Sequence, residues 1–363
     1  MSTKFSSVSR QFWSRKRVFL TGHTGFKGAW LSLWLSDMGA QVYGYALPPS
    51  TSPSLFELAE VGVRIARHQT GSIHDLATLK RAVVHAQPDV VIHMAAQAIV
   101  RQGYADPIDT YMTNVMGTVH LLEACRHLDS LAAILVVTTD KCYENREWNW
   151  GYREIDRLGG RDPYSNSKAC AELVTDAYRK SFYAADSAPL IATARAGNVI
   201  GGGDWAVDRL IPDIVRAYMD GRTPLIRSPS ATRPWQHVLE PLSGYLLLCE
   251  ALCGRDANLA TGWNFGPAAE DAKPVSWLVD KLADLWHGEA TWAHDRDHHP
   301  HEAAYLYLDT AKAQTQLGYR PRWTLTTALE RVTEWHKRLA AGADPRIITL
   351  EQIRAFEMTT AAD

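Results

Sequence analysis

The stretch "YSNSK", residues 164 to 168, sets a phenol and an amine four residues apart. On a helix that spacing puts Tyr164 and Lys168 on one face. A cation held near a phenol favours the phenolate. A phenolate can then take a proton from a hydroxyl as hydride leaves the carbon that bears it. YxxxK alone is common by chance, but here it follows "TTDKCY", residues 138 to 143. That segment puts the hydroxyl of Thr139, the carboxyl of Asp140 and the amine of Lys141 directly after the apolar run "AAILVV". Earlier in the chain, "TGHTGFKG" supplies Gly22, Gly25 and Gly28. Glycines so spaced let a backbone turn tightly and approach a pyrophosphate, whose charge a helix N-terminus favours.

These groups need strands and helices to hold them, and the apolar pattern supplies both. "RVFLTG" (17–22), "AQVYGYAL" (40–47), "DVVIHMAA" (89–96), "AAILVVTT" (132–139) and "LIATARAGNVIG" (190–201) read as strands. Between them, "GAWLSLWLSDMG" (28–39), "ATLKRAVVHAQ" (77–87), "PIDTYMTNVMGTVHLLEACRHL" (107–128) and "DPYSNSKACAELVTDAYRKSF" (162–182) have helical spacing. The fold class expected is α/β, a Rossmann-type doubly wound parallel sheet covered by helices on both faces. After about residue 200 the alternation breaks into short segments rich in Pro, Trp and His, which predicts a smaller C-terminal α/β substrate lobe. The expected division is an N-terminal extension (1–16), a dinucleotide-binding unit (17–200 with about 239–267), the lobe (about 201–238 with 268–345) and a C-terminal tail (346–363).

The bulk properties exclude more than they suggest. With 46% hydrophobic and 21% charged residues, the 363-residue chain has the composition of a soluble globular protein. A net charge of −2 gives no footing for nucleic acid. No run approaches the ~18 apolar residues of a membrane span, and no secretory h-region is present. Five cysteines, an odd number with no CxxC, argue against a disulfide framework or a zinc site, so the expected setting is the cytoplasm. His294, His298, His299 and His301 crowd a short polar segment that reads as a substrate loop rather than a metal site, and no metal is expected.

The glycine turn, Tyr164 with Lys168, and "RAGNVIGGGDW" together resemble the extended short-chain dehydrogenase/reductase family. Within it, "TTDKCYENREWNWGYRE", "GGRDPYSNSKACAELV", "RPWQHVLEPLSGY" and "GWNFGP" look like the CDP-glucose 4,6-dehydratases, over about Arg17 to Lys337. The resemblance implies an internal redox cycle on CDP-glucose. Tyr164 deprotonates the sugar 4-hydroxyl as hydride passes to NAD, water is lost across C5 and C6, and the hydride returns to C6. The product is CDP-4-dehydro-6-deoxyglucose, an intermediate for deoxysugars of the O-antigen kind. Thr139 is expected on the 4-hydroxyl and Asp140 as the acid for the C6 hydroxyl. Relatives acting on dTDP-glucose carry Glu where Lys141 stands. Lys141 is expected as a neutral amine base at C5 or as a cation stabilising the enolate.

For the cofactor, the expected residues are Gly22, Thr24, Gly25, Phe26, Lys27 and Gly28, with Ser72 and Ile73 near the adenine. Ala95, Ala96, Gln97, Asn114, Thr138, Tyr164 and Lys168 complete that set. The second strand ends "GYALPPS", with neither a carboxylate for a ribose hydroxyl nor an Arg for a 2′-phosphate. The choice of NAD over NADP therefore rests on the resemblance. For the nucleotide-sugar, the expected residues are Arg101 near the sugar, Asn198 and Arg233 on the diphosphate, and Arg209 with Leu210 near the nucleotide. His237 and the loop residues Arg296, His299 and His301 join them. The two long helices imply a homodimer through a four-helix bundle, or a tetramer built from it. Two other functions stay open at this point: another nucleotide-sugar dehydratase or 4-epimerase, and a non-catalytic NAD-binding regulator.

Overall fold

In the computed structural model, residues 7–286, 291–295, 297 and 305–359 are described. The apolar runs become parallel strands: β1 (Arg17–Thr21), β2 (Gln41–Ala46), β3 (Arg67–Thr70), β4 (Val90–His93), β5 (Ala133–Val137) and β6 (Leu190–Ala196). Three short strands of the later chain follow: β7 (Asn198–Ile200), β8 (Leu225–Ile226) and β9 (Thr232–His237). β10 (Gly262–Phe265) returns to the main sheet, and β11 (Ala272–Pro274) and β12 (Ala293–His294) complete the set. The main sheet has the order β10-β6-β5-β4-β1-β2-β3, with every pairing parallel.

Successive side chains of a strand point to opposite faces, so a strand buried on both faces must be apolar throughout. In β5, Ala133, Leu135 and Val137 enter one core cluster while Ile134 and Val136 enter the other. In β1, Val18 and Leu20 face the first cluster and Phe19 the second. The first cluster is closed by the helices Phe26–Asp37 and Leu239–Cys253. The second is closed by Leu76–Ala86, Gly117–Cys125 and Pro163–Phe182.

The strand order reverses between β1 and β4, since β1 leads outward to β2 on one side while β4 lies on the other. At such a switch point the loops diverge and leave a crevice at the carboxyl ends of the strands.

Several boundaries differ from the sequence reading. "LIATARAGNVIG" is two strands, not one: the chain breaks at Gly197, β6 stays in the main sheet, and β7 joins a three-stranded sheet of order β11-β9-β7. A side chain at 197 would meet Asp140 Oδ2 and Pro234 at 3.0 Å, so the break brings two sheets together at the site. Edge strand β3, "RHQT", carries no apolar signal because it is largely exposed. The long helix from Pro107 to Cys125 contains a π-helical turn at Met112–Met116. The described segments nearest the two ends are packed against the core. Trp13 is fully buried and donates to Glu250, and Ile348, Ile353 and Phe356 of the helix Pro345–Met358 enter the first cluster. A third cluster, under the helices Leu210–Met219, Val275–Trp286 and Leu325–Ala340, forms the core of the smaller lobe.

Candidate active site

β1 ends in Thr21, and the chain turns at once through Gly22, whose φ is +77°. A Cβ there would stand 2.7 Å from the Ala95 amide nitrogen at the end of β4. At Gly28 a Cβ would fall 2.1 Å from the Gly22 carbonyl oxygen, so only glycine lets the helix sit against the turn. The helix Phe26–Asp37 begins at Gly25 with no side chain capping it, so its first amides remain available to an anion. This is a cradle that fits a dinucleotide pyrophosphate.

The turn opens into a cavity of about 1870 Å³ between the main sheet and the smaller lobe. All the expected catalytic residues line it: Thr139, Asp140, Lys141, Tyr164 and Lys168. So do Gly22, Thr24, Gly25, Phe26, Lys27, Gly28, Ser72, Ile73, Ala95, Ala96, Gln97 and Thr138 on the cofactor side. Arg101, Asn198, Arg209, Leu210 and Arg233 line it on the substrate side.

Two expected contacts differ. Asn114 does not line the cavity. It sits buried in the π-helical turn, where its amide exchanges hydrogen bonds with the Gln97 backbone at 2.9 Å and donates to Ser167 Oγ at 2.9 Å. It therefore shapes the Gln97 loop from behind. His237 also does not line the cavity, which corrects its expected role on the substrate. It is fully buried, edge-on to Trp30 and Trp323, and burial lowers its pKa to about 3, so it is a neutral core residue. Its position at the end of β9, turned toward the helix layer, explains the difference. Arg296, His299 and His301 lie outside the described residues.

The catalytic groups come from three adjoining elements. Tyr164 and Lys168 project from the helix Pro163–Phe182, capped by Asp162 through Ser165 N. Thr139, Asp140 and Lys141 sit where β5 ends in a short 3-10 turn that Thr139 caps. Burial pushes the Tyr164 phenol up to about 12; the hydrogen bond with Thr139 and the Arg209 charge pull it back, while Asp140 adds to the rise. Lys168 donates from Nζ to the Val137 carbonyl at 3.1 Å, and burial lowers its pKa to about 8 against the opposing pull of Glu172.

Asp140 is 2% exposed, and burial raises its carboxyl pKa over the opposing effects of Lys141, Thr139 and Arg233. Oδ1 accepts from Thr139 Oγ1 at 3.0 Å, while Oδ2 is buried with no partner. An unpartnered oxygen in a closed pocket is poised to hold a proton.

Charge at the lobe side is arranged in ion pairs. Arg209 meets Asp204 at 3.0 Å, and Arg101 and Arg227 meet Asp208 at 3.3 and 3.5 Å. Arg227, on the loop after β8, also lines the cavity and was not among the expected residues. Its segment, "TPLIRS", carries no motif of its own. Half-buried Lys27 faces the same space, its pKa lowered to about 7 by burial and by the Arg209 and Lys168 charges. Among the described residues, no group of three His, Cys, Asp or Glu is placed to hold a metal.

The family model for GDP-mannose 4,6 dehydratase matches residues 19–332. The chain belongs to this family. Among its dehydratases, the CDP-glucose 4,6-dehydratase of Salmonella typhimurium is 52% identical over 357 residues, 97% of this chain and 99% of that one. The resemblance read from the motifs is therefore borne out at nearly full length. Solved structures share the fold. A dTDP-glucose 4,6-dehydratase from Streptomyces venezuelae superposes with a TM-score of 0.75 at 24% identity, covering 91% of this chain and 99% of its own. A UDP-glucose 4-epimerase from Thermotoga maritima gives 0.77 at 19%, covering 89% and 99%. The Rossmann-type sheet and the smaller lobe are thus common to dehydratases and epimerases. The groups in the cavity, not the fold, must tell these activities apart.

Proposed function

We propose that the chain is a CDP-glucose 4,6-dehydratase working through bound NAD. One observation carries the reading: a buried carboxyl with an unpartnered oxygen, Asp140, lines one cavity together with Tyr164, Thr139 and Lys141. A 4-epimerase needs the phenol but has no leaving group to protonate. A cofactor-binding regulator needs neither. The cytidine assignment rests on the Salmonella relative. NAD is supported by the glycine cradle and by the Streptomyces dehydratase, which was solved with NAD bound.

When bound, NAD would supply the hydride chemistry, accepting a hydride and later returning it, and its positive charge would favour the phenolate form of Tyr164. Thr139 holds the sugar 4-hydroxyl and Tyr164 removes its proton, with the Lys168 charge behind it. The 4-ketone acidifies the C5 hydrogen. Lys141, as an amine, takes that proton, and the ammonium so formed steadies the enolate charge and returns the proton to C5 as the hydride reaches C6. Asp140 delivers its proton to the C6 hydroxyl, which leaves as water. Asn198 and Arg233 hold the diphosphate, Arg209 stands near the nucleotide, and Arg101 faces the sugar.

The reading assigns 17–200 with about 239–267 to the cofactor and the lobe to the nucleotide-sugar. It also includes a homodimer, supported by exposed apolar side chains on the two long helices, among them Ile108, Met112, Met116 and Leu173. A cytoplasmic setting is supported by five free cysteines. No helix among the described residues is long and apolar enough to cross a membrane.

The test is a substrate panel. Purified protein with NAD is given CDP-, dTDP-, UDP- and GDP-hexoses separately, and mass spectrometry follows the loss of one water. Loss from CDP-glucose is expected. Loss only from another nucleotide would overturn the base assignment, and isomerisation without water loss would overturn the dehydratase reading.

A further inference from the structure

The helix that carries Tyr164 and Lys168 has a third member on the same face. Glu172 follows at i+8 from Tyr164 and i+4 from Lys168. Each of the three meets one residue at the end of β5. Tyr164 hydrogen-bonds Thr139, Lys168 Nζ donates to the Val137 carbonyl at 3.1 Å, and Thr138 Oγ1 donates to Glu172 Oε1. The helix is thereby stitched to residues 137–139 at three successive turns.

Glu172 and its partner Arg195 of β6 are each only 4% exposed. Arg195 donates from Nε to Oε1 at 2.9 Å and from Nη2 to Oε2 at 2.8 Å, and Thr193 Oγ1 donates to Oε2 at 2.6 Å. A buried carboxylate keeps its charge only when its oxygens are filled in this way. Accordingly the Glu172 pKa is lowered, despite burial, by the Arg195 charge and these donors. Arg195 is held in turn by Tyr143 Oη at 2.6 Å and the Glu154 carbonyl at 3.2 Å.

The groups facing Lys168 are Tyr164 and Glu172 from its own helix, Cys142 from the turn after β5, His93 from β4 and Lys27 from the glycine-turn helix. Burial keeps the Cys142 thiol and the His93 imidazole neutral, and Lys27 carries the same sign as Lys168. Glu172 is the carboxylate in this set.

We propose that Glu172, held by Arg195, is a positioning residue that clamps the end of β5 to the catalytic helix and keeps Lys168 protonated during turnover. The proposal rests on the dehydratase reading above for its kinetic consequence, but not for its structural one. Lys168 supplies a cation below its pKa of about 8 and loses it above. Without the Glu172 charge that boundary moves down.

The experiment compares wild type, Glu172→Gln and the double variant Glu172→Gln/Arg195→Met. The double variant removes the ion pair together and so avoids an uncompensated buried charge. C4 oxidation is followed by cofactor reduction in single turnovers across pH. Lys168 is also titrated without substrate by NMR of lysines labelled at Cε, assigned with Lys168→Met. The alkaline limb and the NMR midpoint should both fall by about one pH unit in Glu172→Gln and by less in the double variant, which also removes the opposing Arg195 charge, with rate recovering toward wild type below the shifted limb. Midpoints unchanged in the variants, even with a uniform loss of rate, would overturn the proposal and leave a merely structural ion pair. A wild type that shows the NMR midpoint but no turnover would refute the dehydratase reading instead, and the NMR comparison would still decide this one.

Discussion

At the scale of single residues, the two neighbours Asp140 and Lys141 stand in different surroundings. Asp140 is buried with one oxygen unpartnered and its pKa raised, whereas Lys141, the next residue, is half-buried and lines the same cavity. Under the proposed mechanism, elimination needs both and C4 oxidation needs neither. Lys141→Met should therefore slow water loss by about 10²–10⁴-fold and leave cofactor reduction in a single turnover close to wild type. Rapid-quench mass spectrometry beside cofactor absorbance reads the two steps separately. Unimpaired water loss would remove Lys141 from the chemistry. Tyr164, Lys168, Thr139, Asp140 and Lys141 were all legible in the sequence because they lie in two short motifs. Glu172 was equally visible as the i+4 neighbour of Lys168, but its meaning depends on Arg195, which sits on a different strand. His237 was misread because its motif gives its position on β9 but not the face on which it is buried.

At the scale of elements, apolar runs that are buried on both faces announce themselves, and those that are not do not. β1, β4 and β5 were legible for that reason, whereas β3 was not, because its side chains meet solvent. The break at Gly197 was hidden inside one apolar run, yet it places β7 and the Asn198 side of the cavity against Asp140. The two long helices show the opposite case. Leu122 of the first is fully buried in the core, while Met112, Met116 and Ile108 remain exposed. With Leu173 59% exposed on the catalytic helix, these positions are the surface the dimer would cover. Light scattering at micromolar concentration should give twice the 40.5 kDa chain mass, and Leu173→Glu should shift it toward the monomer. A monomeric wild type would refute the dimer.

At the scale of the whole molecule, the fold buries many histidines in neutral form. His23, His93, His237 and His336 all have pKa values lowered to about 3 by burial, against an ordinary 6.5. Between those values these four rings bind protons in the unfolded chain but not in the folded one, so their contribution to stability rises with pH and is lost on acidification from about 6.5 toward 3, offset in part by Glu240 and Glu250, whose carboxyl pKa values burial raises to about 8 and about 7. Each such group contributes up to about 1.4 kcal/mol per pH unit in that window. The thermal midpoint should fall clearly between pH 7 and pH 5, as read by calorimetry. A flat profile would mean that the rings gain protons in the folded state.

In the proposed cycle one cavity, lined by Tyr164, Lys168, Thr139, Asp140 and Lys141, carries a hydride out of the sugar and back. CDP-glucose deuterated at C4 tests it most directly. The expected product is lighter by one water, with the deuterium retained and now found at C6 by NMR. A dehydrated product that has lost its deuterium would contradict the internal cycle, as would deuterium remaining at C4.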